Sequence, residues 1–419
     1  MKPKKHQAHR TLPLVTLIIA GETVFFLPFL VPRIFRPTML EVFDITNLQL
    51  GGFFAIYGII AMAAYLLGGP VADRFPARKL MAIALWLTAL GGLFVAFLHT
   101  PLGLSLVYGW WGFTTIFLFW AALIRATREW GGPGFQGRAF GWLEGGRGLV
   151  AALLGTLSWL IFTKLSLDAI NVPATNTFLH PFQVVILAVS VLTIIAGILT
   201  WYVIPDNRKQ LKRDPPKIVI ANILKLLRMP TIRSLILIIV CAYSGYKITD
   251  DFSLYAREVL GFSEIGAAAV GTGGLWLRAL VAVGAGILAD RLPKGNLIVG
   301  CFALTTAGSI LAASGLLEWS GIVALLNMAA LAVGIYSMRA LYFAILKEAG
   351  IPVALTGTAV GLVSFLGYTP EVFMSPWMGA LLDHHPGEAG HRLVFLVLAG
   401  FGLTGLLAGL FFKKYAGKS

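Results

Sequence analysis

The sequence predicts an all-α integral membrane protein, with twelve transmembrane helices arranged as two pseudo-symmetric bundles of six. Of the 419 residues, 58% are hydrophobic and 12% are charged, against about 25% charged in an ordinary soluble domain. Apolar runs of about 20 residues recur along the chain, and each is long enough to cross the hydrocarbon core of a bilayer as a helix. A short motif that follows the second run returns after the eighth. The composition excludes a soluble globule, and the repeat predicts the division into two bundles.

Hydropathy places twelve spans along the chain. They lie near residues 12–32, 48–70, 80–98, 102–124, 137–163, 182–204, 233–256, 264–289, 297–315, 321–346, 355–382 and 392–412. The basic residues before the first run, from Lys2 to Arg10, resemble the start of a secretory signal. No small-residue cleavage site follows, and the run continues to Val31, so we interpret it as a span with a cytoplasmic anchor.

Basic residues are distributed unequally between alternate loops. With the N-terminus inside, the cytoplasmic segments hold 24 of the 33 lysines and arginines, and the outer loops hold 5. Because the cytoplasmic loops of multi-pass proteins carry the excess of Lys and Arg, we expect both termini in the cytoplasm and the chain in the cell (inner) membrane. The same bias explains the net charge of +14, so no nucleic-acid partner is predicted.

Residues 205–232 form the one long polar interruption of the chain. They predict a boundary between an N-terminal bundle, residues 1–204, and a C-terminal bundle, residues 233–419. Within this cytoplasmic linker, Lys217 to Arg228 alternates basic and apolar residues, which is compatible with a short helix on the inner leaflet. A plain tether between the two bundles is the alternative.

An internal repeat relates the two halves. Gly69-Pro70-Val71-Ala72-Asp73-Arg74 recurs as Gly286-Ile287-Leu288-Ala289-Asp290-Arg291, 217 residues later. Two six-helix repeats in parallel orientation predict a solute site between them, near the bilayer midplane, with access that alternates as the halves rock.

The stretch Gly69-x-x-x-Asp73-Arg74-x-x-x-Arg78-Lys79 resembles the cytoplasmic loop signature of the major facilitator superfamily, with Pro76 where that family usually has glycine. The resemblance covers the whole chain and implies the twelve-helix fold of that superfamily and transport by alternating access. It also implies that the loop residues control conformation and do not contact the solute. These residues are Gly69, Asp73, Arg74 and Arg78, with Asp290 and Arg291 in the second copy.

A finer resemblance concerns the branch of the superfamily that transports sugar phosphates and other organophosphates. It is carried by the runs Arg128-Glu129-Trp130, Gln136-Gly137-Arg138 and Tyr255-Ala256-Arg257-Glu258-Val259. The resemblance implies a phosphate-binding basic residue near the outer half of the first span, for which Arg33 is the candidate. The second basic residue of the branch, in the seventh span, has no arginine counterpart here, although Lys247 stands nearby.

Charged residues within the spans are the main candidates for the functional site, because an ionisable group at membrane depth costs about 2.5–3.5 kcal/mol on insertion scales and persists where it has a partner or lines a wet path. The resemblance places all of them on helices that line or flank the solute cavity. They are Glu22, Glu144, Arg147, Lys247, Asp250, Asp251, Arg278, Arg339 and Glu371.

Several roles stay open for these charges. Glu144 and Arg147, three apart on one helix face, predict either an internal ion pair or an anion clamp with Arg147 as the donor. Lys247 with Asp250 and Asp251 has the same two interpretations. Glu22 lacks a partner in its own span, which suits a proton carrier; the alternative is a pair with Arg147 or Lys247 on another helix.

The remaining three charges also have two interpretations each. Glu371 follows Pro370 in Gly367-Tyr368-Thr369-Pro370-Glu371, a setting that predicts a broken helix whose freed carbonyls line an aqueous path; a kink near the membrane surface is the alternative. Arg278 and Arg339 predict either solute contact and gating or structural pairing.

Other chemistries leave no signature in the sequence. A phosphate-cradling glycine loop followed by Lys-Ser or Lys-Thr is missing, so ATP is not the expected energy source. The seven histidines have no metal-binding spacing, and no nucleophile stands with a base, so we predict no enzyme, metal or cofactor. The cysteines, Cys241 and Cys301, both lie in apolar runs and are interpreted as small buried hydrophobes.

The leading hypothesis is a secondary-active transporter that moves a small polar, anionic organic solute and is coupled to protons or to solute exchange. Its expected partners are the solute, a coupling proton and the bilayer, and we expect a monomer. One alternative is proton-coupled efflux of cationic or amphipathic drugs, with Glu22 and Asp250 as the cation partners. The other is a transporter-like membrane sensor.

Overall fold

A computed structural model of the chain describes residues 4–97, 100–171, 179–206, 220–317, 320–342, 344–350 and 355–416. The described residues form α-helices, short 3₁₀ and π-helical segments and the turns between them. This confirms the prediction of an all-α membrane protein.

In the described part of the chain, eight α-helices precede the linker. They are α1 (Lys4–Phe25), α2 (Val31–Ile34), α3 (Arg36–Phe43), α4 (Asn47–Arg74), α5 (Ala77–Phe97), α6 (Pro101–Gly112), α7 (Ala121–Asn171) and α8 (Pro181–Val203). Two π-helical segments, Phe26–Leu30 and Phe113–Trp120, continue α1 and α6 into the helices that follow them. The first and fourth spans therefore each contain a π-helical turn, a departure from regular helix that is often found near functional sites.

Nine α-helices make up the rest of the described chain. They are α9 (Ile220–Arg228), α10 (Pro230–Ile248), α11 (Phe252–Glu258), α12 (Glu264–Arg291), α13 (Lys294–Ala313), α14 (Gly321–Leu341), α15 (Thr356–Gly367), α16 (Pro370–His384) and α17 (Glu388–Ala416). The 3₁₀ segments Thr249–Asp251 and Ala344–Ala349 follow α10 and α14. Helix α9 covers most of the linker stretch for which the sequence predicts a short helix; residues 217–219 lie outside the described ranges.

Within the described ranges, eleven helical stretches are long and apolar enough to cross a membrane. Their positions match the predicted spans except for 355–382, which the structure divides into α15 and α16. Tyr368 and Thr369 separate the two helices, and Pro370 begins the second because it has no N–H to continue the first. The predicted helix break before Glu371 is therefore confirmed.

Helix α7 contains parts of two predicted spans. The fourth membrane-length stretch ends at Gly132 and the fifth begins at Arg138. Gly132 has a φ of +58°, in the left-handed region that glycine adopts without a steric penalty. The glycine thus accommodates the end of one span ahead of the next.

Contacts group the chain into two units. One unit consists of Met1–Ile45, Ile56–Pro215 and Ser263–Trp276, and the other of Thr46–Ala55, Pro216–Phe262 and Leu277–Ser419. In the first unit, α5 packs along α8 and α1 along α7 around a core that includes Leu17, Met81, Leu85, Phe119 and Leu143. In the second unit, α17 packs against α13 and α10. The predicted boundaries at 204 and 233 stay a prediction.

The first turn of α4 belongs to the second unit and is capped there by a side chain of α16. Asp383 accepts hydrogen bonds from the backbone N–H groups of Asn47, at 3.0 Å, and Leu48, at 2.7 Å. The first N–H groups of a helix have no partner within the helix, and a carboxylate stabilises this end both by hydrogen bonding and by its charge. Asp383 therefore binds the start of α4 to the end of α16.

We expect Asp383→Ala to lower the free energy of unfolding by about 0.5–2 kcal/mol, the usual cost of removing a helix cap. Thermal unfolding of the purified protein in detergent, with size-exclusion chromatography as the readout, measures this effect. Asp168→Ala, which removes an exposed carboxylate near the end of α7, is the control. Equal melting temperatures for the two variants would contradict the capping role.

Candidate functional site

A buried lysine forms the centre of an ionic network in the second unit. Lys247, in the last turn of α10, is 1% exposed. Its Nζ lies 3.1 Å from Asp250 Oδ2 and 3.1 Å from Glu371 Oε1. It also lies 4.4 Å from the centre of the Phe54 ring, which adds a cation–π contact. A single ammonium group therefore compensates two carboxylates that are themselves buried.

The helix break determines where Glu371 stands. Because α16 begins at Pro370, Glu371 lies in the first turn, where the helix dipole favours a negative charge. Lys247 donates to Glu371 Oε1 at 3.1 Å, and the Tyr243 hydroxyl donates to the other carboxylate oxygen. Both oxygens thus have a donor. Movement of either α10 or α16 would break this arrangement.

An arginine surrounded by tyrosines stands in the same unit. Arg339, in the last turn of α14, places its guanidinium carbon 3.9 Å from the ring centre of Tyr246 and 5.8 Å from that of Tyr243. The hydroxyls of Tyr342 and Tyr368 lie 3.1 Å apart. The Tyr243 and Tyr368 rings pack at 4.9 Å between centres. These four tyrosines and Arg339 are called the tyrosine cluster below.

The arginine of the tyrosine cluster differs from the other buried cations in its partners. Among the described residues, Arg339 forms no ion pair, and its Nη1 is buried without a hydrogen-bond partner. The side chain as a whole keeps intermediate exposure. A guanidinium presents donors in a planar fork that fits carboxylate and phosphate oxygens. This arrangement can therefore accept an anion from outside the chain.

A second ionic network lies in the first unit. Arg147 donates from Nε to Glu22 Oε2 at 3.0 Å and from Nη1 to Glu144 Oε1 at 2.8 Å. Its guanidinium carbon also lies 5.6 Å from the ring centre of Phe25. The pair with Glu22, one of the alternatives that the sequence left open, replaces the interpretation of Glu22 as a carboxylate without a partner. Two carboxylates already bind Arg147, which favours the internal ion pair over the anion clamp.

Asp251 does not join its neighbour Asp250 at Lys247. Its Oδ2 lies 2.7 Å from His391 Nδ1, and His391 Nε2 lies 3.0 Å from Glu258 Oε2. The sequence-based pairing of Asp251 with Lys247 is therefore corrected. Asp250 and Asp251 lie in the 3₁₀ segment that joins α10 to α11, and the change from α-helix directs their side chains to different partners.

The structure places the two remaining candidate cations as follows. Arg33 is buried in the short helix α2, and Arg278 has intermediate exposure in α12. Contact of either residue with a solute stays a prediction.

Two arginines hold the loop after α4 within the first unit. Arg78 pairs with Asp206 at 3.0 Å, and Arg125 donates to the carbonyl oxygens of Ala72 and of Phe75. Cations that bind the last carbonyls of a helix stabilise that end.

The other predicted loop residues are placed as follows. Arg74, Asp290 and Arg291 are exposed, and Gly69 and Asp73 lie in the last turns of α4. The surroundings of the Asp73 side chain lie outside what the structure describes. The conformational role of these residues stays a prediction.

The sequence alone selects neither the tyrosines nor His391 as site residues: Tyr246 and Tyr342 are possible cavity walls there, with packing as the default interpretation. Nothing in their spacing marks the tyrosines, because residues of α10, α14, α15 and the turn after it meet only in the folded chain. His391 was considered only as a metal ligand, and among the described residues no group of His, Cys, Asp and Glu is arranged to hold a metal ion. Its position at the start of an otherwise apolar run was the available signal.

Comparisons with known proteins agree with this architecture. The family model described as Major Facilitator Superfamily matches residues 14–369. Inner membrane protein YqcE of Escherichia coli (strain K12) is 28% identical over 430 residues, which covers 98% of this chain and 96% of that relative.

Solved structures extend the likeness to the whole fold. The nucleoside transporter NupG has a TM-score of 0.74 at 14% identity, with 96% of this chain and 99% of that chain covered. The D-xylose-proton symporter has a TM-score of 0.72 at 15% identity, with 97% of each chain covered. At such identities the likeness shows the fold alone.

Proposed function

This chain belongs to the Major Facilitator Superfamily, and we propose that it moves a small anionic organic solute across the inner membrane by alternating access, driven by protons or by solute exchange. It is a membrane transporter and not an enzyme. The anion, the coupling, the cytoplasmic position of both termini and the monomeric state form our proposal.

Arg339 is the observation that carries the choice of an anion. Each of the cations Arg147 and Lys247 is already paired with two carboxylates. Arg339 has tyrosine faces beside it, and its buried Nη1 lacks a hydrogen-bond partner within the described chain. A buried donor without a partner costs about 1–3 kcal/mol, and an anionic solute would recover that cost on binding. We therefore assign the anion contact to Arg339 and a structural role to Arg147.

The tyrosine cluster supplies the remainder of the proposed site. Phenolic hydroxyls, such as those of Tyr342 and Tyr368, can donate to or accept from the hydroxyl groups of a small polar solute. The aromatic faces exclude water and so strengthen the electrostatic attraction of Arg339 for the anion. Sugar phosphates and sugar acids combine such hydroxyls with a negative charge, and dicarboxylates offer a second carboxylate as an acceptor for the phenolic hydroxyls.

Ligand-dependent thermal stability of the purified protein tests this assignment. Glucose 6-phosphate, glucuronate and succinate represent the three anion classes, and a bound ligand at 100 times its Kd raises the free energy of unfolding by about 2.7 kcal/mol. We expect at least one of them to raise the melting temperature of the wild type and of Arg233→Gln, in which an exposed arginine of α10 is changed. Arg339→Gln should abolish the shift. An unchanged shift in Arg339→Gln would contradict the assignment.

Efflux of a cation is the second candidate, and an exposed carboxylate of the first unit favours it. Glu22 and Glu144 both pair with Arg147, and the Glu144 side chain is 58% exposed. A cationic solute could contact the exposed Glu144 carboxylate. Ethidium export by proteoliposomes, lost in Glu144→Gln and kept in Arg339→Gln, would support efflux over anion transport.

A further inference from the structure

We propose that His391, Asp251 and Glu258 form a proton-binding site that couples proton movement, through Lys247, to the solute site at Arg339. The coupling rests on the proposed function, whereas the binding of the proton rests on geometry alone. All three residues belong to the second unit.

The positions of the two ring nitrogens require two protons at this site. His391 Nδ1 lies 2.7 Å from Asp251 Oδ2, and His391 Nε2 lies 3.0 Å from Glu258 Oε2. A hydrogen bond needs one hydrogen between the two heavy atoms, since two facing lone pairs repel. A neutral imidazole has one N–H, so the second hydrogen must sit on Nε2 or on the Glu258 carboxyl. In either case the three groups together hold the same number of protons.

The two carboxylates that face the buried ring make the loss of the second proton unfavourable in this geometry. The side chains of His391 and Asp251 are 0% and 1% exposed. Asp251 Oδ1 has no hydrogen-bond partner within the described chain. The His391 N–H is therefore the donor that stabilises the negative charge of this carboxylate. Removal of one proton leaves two carboxylates against a neutral ring, and repulsion of like charges would then separate Glu258 from Nε2.

Glu258 provides the connection to water. Its side chain is 34% exposed, in contrast to those of its two partners. A proton from water can therefore reach the Glu258 oxygen or the adjacent Nε2 without passing through the buried part of the site. One N–H or O–H bond forms, and the net charge of the three groups changes from −2 to −1.

The other groups around the imidazole are engaged elsewhere or uncharged. The Tyr255 ring meets the imidazole edge-on, with 5.4 Å between ring centres. On α17 itself, Glu388 and Arg392 pair with each other. From the end of α16, the His385 backbone lies against Gly390. Among the groups described around the ring, Asp251 and Glu258 are thus the ones that hold its protons.

The polypeptide connects this site directly to Lys247. Asp251 and Asp250 are neighbours in the 3₁₀ segment, and Asp250 pairs with Lys247 at 3.1 Å. A shift of Asp251 when His391 loses a proton would therefore move Asp250. The Lys247 ammonium would then move relative to its two carboxylate partners, Asp250 and Glu371. Glu371 also accepts a hydrogen bond from Tyr243 of the tyrosine cluster, so the movement would reach that cluster.

Nitrogen NMR of the full chain, labelled with ¹⁵N-histidine and held in lipid nanodiscs, tests the proton site without any solute. The His391 signals are identified by their loss in His391→Gln. We expect both ring nitrogens to stay protonated at about pH 8, above the ordinary histidine pKa of about 6.5. In Glu258→Gln, which should fold because the substituted side chain is partly exposed, the second proton should be lost at lower pH. Loss of the second proton near the ordinary histidine pKa of about 6.5 would overturn the proposal.

Transport by proteoliposomes tests the coupling separately. With whichever of labelled glucose 6-phosphate, glucuronate or succinate the wild type moves, His391→Gln should lose accumulation driven by an inward proton gradient and keep counterflow exchange within about twofold, since a coupling defect spares exchange. His384→Gln is the control. Gradient-driven accumulation by His391→Gln equal to that of the wild type would overturn the coupling. If the wild type moves none of the three anions, the proposed function fails, whereas the NMR result still decides the proton site.

Discussion

Replacing Lys247 with methionine should lower the free energy of unfolding by about 3–5 kcal/mol, the usual cost when one partner of a buried ion pair is removed. Asp250 and Glu371 would both lose the cation that lies 3.1 Å from each of them. Methionine approximates the length and volume of the lysine stem, so the loss of charge is the main change. Thermal unfolding in detergent and the yield of monodisperse protein measure the effect.

A charge-matched variant separates electrostatics from packing at this site. The triple variant Lys247→Met, Asp250→Asn and Glu371→Gln removes the cation together with both carboxylates, and we expect it to recover most of the lost stability, because well-packed neutral groups often replace a buried ion pair without cost. Lys164→Met, at an exposed position of α7, is the control for loss of a lysine. A Lys247→Met protein as stable as Lys164→Met would contradict the network.

Gly51→Ala should destabilise the protein by about 1–3 kcal/mol, as overpacking of a tight contact generally does. A Cβ added at Gly51 would lie 2.4 Å from the carbonyl oxygen of Ser375 and 2.7 Å from the Cα of Pro376. Both are backbone atoms, so no side-chain rotation can relieve the clash. The start of α4 would have to move away from α16, which would also weaken the cap at Asp383.

The adjacent residue provides a matched control for this substitution. Gly52 lies in the same turn of α4, and a Cβ there would meet nothing within 4 Å. Gly52→Ala should leave stability unchanged or raise it by up to about 1 kcal/mol, because alanine favours the helix over glycine. Melting temperatures of the two variants, measured side by side, give the comparison. Equal behaviour of Gly51→Ala and Gly52→Ala would show that the helices do not approach this closely.

Much of the fold could be predicted because the membrane restricts the choices. A span must be apolar and about 20 residues long, so hydropathy alone locates the eleven membrane-length stretches, and Pro370 marks the break before Glu371. The cost of a charge in lipid likewise selects the charged candidates. Six of them lie in two ionic networks: Glu22, Glu144, Arg147, Lys247, Asp250 and Glu371.

The sequence could not select among the long-range partners of these charges, because such partners are brought together only by packing. Glu22 binds Arg147 across 125 positions of the chain, and Asp251 binds His391 across 140. In the sequence Arg147 and Arg339 are both arginines within apolar runs, and both have solute contact and structural pairing as open interpretations. The folded chain places two carboxylates at Arg147 and tyrosine rings at Arg339. Charge selects the candidates, and the neighbours in space distinguish a structural cation from one that can receive a solute.

Solute uptake by proteoliposomes that contain wild-type or Arg339→Gln protein tests the central claim most directly. We predict that the wild type accumulates labelled glucose 6-phosphate, glucuronate or succinate under an inward proton gradient. Arg339→Gln should reduce the initial rate by about tenfold or more, because a hydrogen bond to a charged group contributes about 1.5–3 kcal/mol. Arg233→Gln should transport like the wild type. Uptake by Arg339→Gln at the wild-type rate, or ethidium export by a wild type that moves none of the anions, would contradict the account.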